Sequence, residues 1–143
     1  MSSPSPLVID TNSVLDKGLQ HWLSKYHGRK VLPSTAYAEL AFIYIMRYGD
    51  TMKLDRLLRA ADVDVDETNM WNGRQAAQFA SERANARGDD KDWDKHWKDY
   101  LIGAHAALPP WMVVTNDPDF SFLGERRITP FDFVEKMKRG ERI

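Results

Sequence analysis

Leu7-Val8-Ile9-Asp10-Thr11-Asn12-Ser13 sets three uninterrupted apolar residues against a polar cluster that can end a strand and cap a helix. A wholly apolar run this short predicts a strand buried on both faces, as the inner strands of parallel sheets are. The pattern recurs twice. Val31-Leu32 runs into Pro33-Ser34-Thr35, and Met112-Val113-Val114 runs into Thr115-Asn116-Asp117-Pro118-Asp119. Val63-Asp64-Val65 alternates as an edge strand does, and Arg127-Ile128 adds a short last strand.

Helical periodicity fills the intervals. Val14, Leu15, Leu19, Trp22 and Leu23 predict a helix reaching His27-Gly28, where Gly28 would supply a left-handed stop. Ala36, Leu40, Ile43, Tyr44 and Met46 mark a helix to Tyr48-Gly49, and Thr51 to Ala61 a shorter one. Trp71 to Arg87 reads as a helix closed by Gly88, followed by a solvated loop to Asp92. Trp93, Trp97, Leu101 and Ala104 mark one face of a helix stopped near Pro109-Pro110, and Pro130 to Arg139 closes the chain. Helices alternating with buried strands predict an α/β fold with a parallel sheet of four to five strands, covered on both faces.

The 143 residues suit one domain, 1–143, with residues 1–6 as a flexible N-terminus; 43% of them are apolar, with five tryptophans to fill a core. That N-terminus lacks the charge and apolar stretch of a signal peptide, and the longest apolar run, Ala41 to Met46, is too short to span a bilayer. A soluble, cytoplasmic protein with no membrane partner is expected. The absence of cysteine excludes disulfides and thiolate zinc sites, so any metal must rest on oxygen or imidazole. A net charge of -1 leaves no global footprint for nucleic acid, so any RNA contact must come from a local patch.

In open parallel sheets the site lies beyond the carboxyl ends of the strands. Asp10 follows the first strand and Asp117 the third, while Glu39 lies in the first turns of a helix that starts at the same edge. Asp99 is placed by length: from Ala107 back to Asp99 is roughly 12 Å of helix, and Met112 to Asn116 is roughly 13 to 16 Å of strand. The two distances bring Asp99 level with Asp117. Four unpaired carboxylates on one rim would take up protons unless a cation joined them. Oxygen ligands suit Mg²⁺ or Mn²⁺, and the chemistry that follows is metal-assisted phosphodiester hydrolysis.

Neighbouring residues have plainer readings. Asp119 reads as a turn residue after Pro118, His105 as a core or interface residue, and His96 as a surface histidine on the Asp99 face of its helix. Arg83, Arg87, Lys91, Lys95 and Lys98 alternate with Asp89, Asp90, Asp92 and Asp94, the pattern of a solvated mixed-charge face. Trp93 and Trp97 read as core or dimer packing.

Four blocks, Leu7 to Asn12, Ser34 to Leu40, Asp99 to Ala106 and Val114 to Phe120, together resemble the PIN domains, and more narrowly the VapC-type toxin ribonucleases. The resemblance implies a three-layer α/β/α sandwich with a mostly parallel sheet. It also implies Mg²⁺- or Mn²⁺-dependent cleavage of RNA and, often, a homodimer neutralised by an antitoxin protein. Carried over by position, Asp10, Asp99 and Asp117 would be metal ligands, Glu39 would complete the catalytic acids, and Asn12 and Thr115 would orient them. Alternative functions are a PIN nuclease of RNA processing and an inactive PIN-like binding module, though none of the four acids is missing.

Overall fold

A computed structural model of the protein describes residues 4–88 and 92–143. Residues 1–3 of the expected flexible N-terminus and 89–91 of the expected charged loop lie outside the described residues. The strands are β1 (Leu7–Ile9), β2 (Lys30–Pro33), β3 (Asp64–Asp66), β4 (Met112–Val114) and β5 (Arg127–Ile128). They form one sheet in the order β3-β2-β1-β4-β5, with every pairing parallel. Leu7, Val8 and Ile9 of the central strand are all fully buried. Successive side chains of a strand point to opposite faces, so this complete burial requires cover on both sides. Each such side chain is worth about 1.5–3 kcal/mol of apolar transfer.

The cover is helical. α1 (Thr11–Val14) and α2 (Lys17–Leu23) lead from β1 to β2, and α3 (Ser34–Tyr48) and α4 (Met52–Ala60) lead from β2 to β3. α5 (Met70–Arg87) and α6 (Asp92–Ala104) then return the chain to β4, and α7 (Pro130–Lys138) follows β5. α2 packs on α7, whereas α6 packs on α5, on α3 and on a 3₁₀ turn, Pro118–Leu123. The result is the three-layer α/β/α sandwich expected from the sequence. Among the described residues no helix is long and apolar enough to cross a membrane.

Several local expectations are corrected. The first predicted helix is two helices, because the Asp16 carboxylate accepts from the Leu19 amide at 2.9 Å and starts α2 afresh. α2 ends at Leu23 rather than His27, and the buried Lys30 ammonium donates to the carbonyls of Leu23 and Tyr26, both at 2.7 Å. Gly28 supplies no left-handed stop. It is required because a Cβ there would lie 2.4 Å from the Tyr26 ring and 2.9 Å from the Ser5 carbonyl. Ile43 and Met46 of α3 lie exposed, since only Ala36 and Leu40 of that helix are buried and Tyr44 packs at the core's margin. α6 stops at Ala104, short of the prolines, and its buried residues are Tyr100, Ile102, Gly103 and Ala104, with Trp93 and Trp97 more than a third exposed.

His105, just beyond α6, is buried as expected of a core residue. Its Nδ1 lies 2.8 Å from Asp66 Oδ2 and its Nε2 2.9 Å from Thr68 Oγ1. Asp66 can only accept, so Nδ1 carries the proton and Nε2 accepts from the Thr68 hydroxyl. Burial holds the imidazole below its usual pKa, against the opposing pull of Asp66.

Candidate metal centre

The sheet order reverses between β1 and β4, so the crevice past their carboxyl ends is the point at which such folds hold ligands. Ile9 is in register with Val114, which sets Asp10 beside Thr115. The Asp10 side chain is held twice over: Oδ1 accepts from the Ser13 amide at 2.8 Å, and Oδ2 accepts from the Thr115 hydroxyl at 2.5 Å. The same hydroxyl accepts from the Asp117 amide at 2.9 Å, so Thr115 joins the two acidic strand ends. Among the described residues, no buried side-chain nitrogen or oxygen lacks a partner.

A cleft of about 180 Å³ opens at this edge, and Asp10, Asn12, Glu39, Asp99 and Asp117 all line it. Four stretches of chain that are far apart in sequence therefore supply its carboxylates. Glu39 accepts from the Thr11 hydroxyl at 3.4 Å and pairs with Lys98 at 3.9 Å. Asn12 is exposed and lines the cleft without a hydrogen bond to those acids among the described residues. Lys95 and Lys98 also line it, while staying exposed as expected of a solvated mixed-charge face.

Two residues set aside in the sequence reading stand at the margin. His96 is no surface histidine: its side chain is 14% exposed, and Nδ1 lies 3.3 Å from Asp99 Oδ2 and 3.3 Å from Asp119 Oδ2. Asp119 does take the turn position, donating its amide to Asp117 Oδ1 at 2.9 Å, but its carboxylate also faces His96. The available signal was spacing, because His96 and Asp99 share a helix face at i,i+3. Asp99 feels the whole group. Burial above all raises its carboxyl pKa, the His96 hydrogen bond lowers it, and the negative charges of Asp117 and Asp119 raise it further.

A larger groove of about 800 Å³ runs along β5 and shares Asp117 with this cleft. Its Arg139 faces anions, lying 3.9 Å from Glu135 and 3.4 Å from Glu141. The small cleft is the one that gathers Asp10, Glu39, Asp99 and Asp117. Its carboxylate oxygens match the hard-donor preference of a divalent cation.

The chain resembles in fold a chain of the DNA-bound VapBC complex from Salmonella typhimurium. The TM-score is 0.62 and the identity 17%, over 88% of this chain and 98% of that one. No family model matches the sequence, and neither does any curated protein. The likeness to that structure is one of fold, and the fold is the PIN-like sandwich that the four sequence blocks predicted.

Proposed function

We propose that this chain is a divalent-metal-dependent endoribonuclease and the toxin of a toxin–antitoxin pair. The observation that carries the reading is the meeting of Asp10, Glu39, Asp99 and Asp117 in one cleft at the reversal point of a PIN-like sheet. Asp10, Asp99 and Asp117 would hold Mg²⁺ or Mn²⁺, with Glu39 completing the acidic set. Such an ion, when bound, acidifies a water molecule and offsets the charge that builds on a phosphoryl oxygen.

The protein's own groups prepare that chemistry. The Ser13 amide and the Thr115 hydroxyl fix the plane of the Asp10 carboxylate before any ligand arrives. Lys95 and Lys98 put positive charge at the mouth of the cleft, where an RNA phosphate would enter, in a molecule whose net charge is only -1. Lys98 is paired with Glu39 in the free protein and can exchange that carboxylate for a phosphate. Phe42, Ile45 and Met46, exposed on α3, give an antitoxin or a second copy of the chain an apolar face to cover. A cytoplasmic location agrees with a cysteine-free chain acting on RNA.

The test is cleavage of structured RNA by the purified protein with Mg²⁺ or Mn²⁺. Loss of cleavage on chelation and in Asp99→Asn is expected; undiminished cleavage by Asp99→Asn would sink the assignment. Growth arrest on expression, relieved by a small protein encoded beside it, would distinguish a toxin from an RNA-processing nuclease.

A further inference from the structure

Lys17, His21 and Ser24 of α2 and its cap recur at i, i+4 and i+7, and Lys53, Arg56 and Leu57 of α4 at i, i+3 and i+4, so each set shares one helix face. The two faces line one groove of about 600 Å³, away from the acidic cleft. Lys17, Lys53 and Arg56 give it positive charge, His21 adds an imidazole, and no carboxylate lines it. All three cations are exposed, and none of them makes an ion pair among the described residues. A net charge of -1 hides this local concentration of positive charge.

The acids nearest in sequence are engaged elsewhere. Asp16 accepts from the Leu19 amide at 2.9 Å, Asp50 from the Met52 amide at 2.9 Å, and Asp55 from the Tyr37 hydroxyl at 2.7 Å. The Lys53 ammonium lies 3.9 Å from the centre of the Tyr48 ring, a contact that steadies the charge without neutralising it. The cations are spread along two helices with Leu57 among them, which suits a chain of phosphates better than a single anion.

The groove also begins near the cleft. Asp10 caps α1, and only Leu15 and Asp16 separate α1 from α2. α2 carries the chain from the end of β1 back to the start of its parallel neighbour β2. Lys17 therefore stands toward the edge of the sheet that holds the four acids, and Ser24 toward the opposite edge.

We propose that the groove between α2 and α4 binds the phosphate backbone of single-stranded RNA and holds the substrate to one side of the bond that is cut. This rests on the reading of the chain as a ribonuclease. The groove touches no reacting atom, so it adds affinity that is equal in the ground and transition states. Its loss raises KM for a long RNA and leaves kcat unchanged.

The experiment measures binding of a labelled oligouridylate by fluorescence anisotropy, in EDTA and over a series of KCl concentrations. Three neutralised phosphates contribute about 2 to the slope of log affinity against log salt for a single strand. The triple variant Lys17→Gln, Lys53→Gln, Arg56→Gln should lose that share of the slope and bind roughly tenfold more weakly at low salt. With Mn²⁺ present, its KM for a long RNA should rise while kcat holds. Removing three exposed cations scattered over α5, β5 and α7, by Arg74→Gln, Arg127→Gln and Lys138→Gln, changes the net charge equally and should cost about twofold or less. Equal losses from the two triple variants, or none from the first, would overturn this inference. Polyglutamate bound as tightly as the RNA would overturn it too and assign the groove to an acidic protein. Wild type that cuts RNA, with the first variant keeping the same KM, would sink the groove alone. Wild type that binds the RNA through these cations yet cuts none would sink the proposed function and leave the groove as an RNA site.

Discussion

Asp10 uses one carboxylate for two purposes, capping α1 through Oδ1 and meeting Thr115 through Oδ2, and substitution can separate them. Asparagine caps a helix about as well as aspartate, so Asp10→Asn should keep stability within about 1 kcal/mol while abolishing RNA cleavage. Asp10→Ala should lose cleavage and also about 1 kcal/mol or more, since both the cap and the partner of a buried hydroxyl go. Urea melts of the two variants beside a cleavage assay check this; equal stability losses would count against the dual role. Thr115→Val keeps the shape but removes the hydroxyl that spans Asp10 and the Asp117 amide. A fall of roughly 10–100-fold in activity or metal affinity is expected, the usual cost of losing a group that orients ligands. At this scale the acids were legible because an aspartate just past an apolar strand has few places to go. His96 and Asp119 were not, because a histidine on a charged helix and an aspartate after proline look the same whether or not they meet.

The elements around the cleft are held by an aromatic cluster that reaches it through Phe120. Phe122 lies 4.9 Å, centre to centre, from Phe79 of α5 and from Tyr100 of α6, and 6.0 Å from Phe120. Gly103 on α6 lets the turn approach this closely, because a Cβ there would come within 2.6 Å of the Phe122 ring. Gly103→Ala should therefore destabilise by about 1–3 kcal/mol, the usual cost of overpacking. The displaced turn holds the Asp117 carboxylate through the Asp119 amide, so catalysis should fall as well; a denaturation midpoint unchanged from wild type would contradict the account. Most element boundaries followed from local signals, including the left-handed Gly49 and Gly88 caps of α3 and α5. The end of α2 did not, because the Lys30 amine that takes its last carbonyls lies on a strand seven residues further on.

Across the whole molecule, the Asp66–His105–Thr68 chain ties the end of β3 to the segment after α6, and Thr68 reaches α3 through Thr35 at 3.1 Å. Folding favours the neutral imidazole, since burial lowers the His105 pKa from its ordinary 6.5. A group whose pKa is depressed by folding contributes stability that is complete above the unfolded value and is lost as pH falls through the folded one. Acidification below pH 6.5 should therefore cost wild type more stability than His105→Gln, while at pH 7.5 the variant should be weaker by about 1–3 kcal/mol for its broken buried bonds. Melting temperatures of both proteins from pH 7.5 to 5 supply the comparison, and parallel profiles would dismiss the role.

By itself the sequence determined the α/β class, the order of strands and helices along the chain, and the four acids at one edge. Those features depend on local periodicity and on where apolar runs stop. Only the tertiary structure decided that β1 lies between β2 and β4, which puts Asp10 against Thr115, and that α6 and the turn after β4 bring His96 to Asp119. Such meetings join residues separated by tens of positions, and no neighbouring residue records them. They arise from the register of parallel strands and from the packing of helices over them.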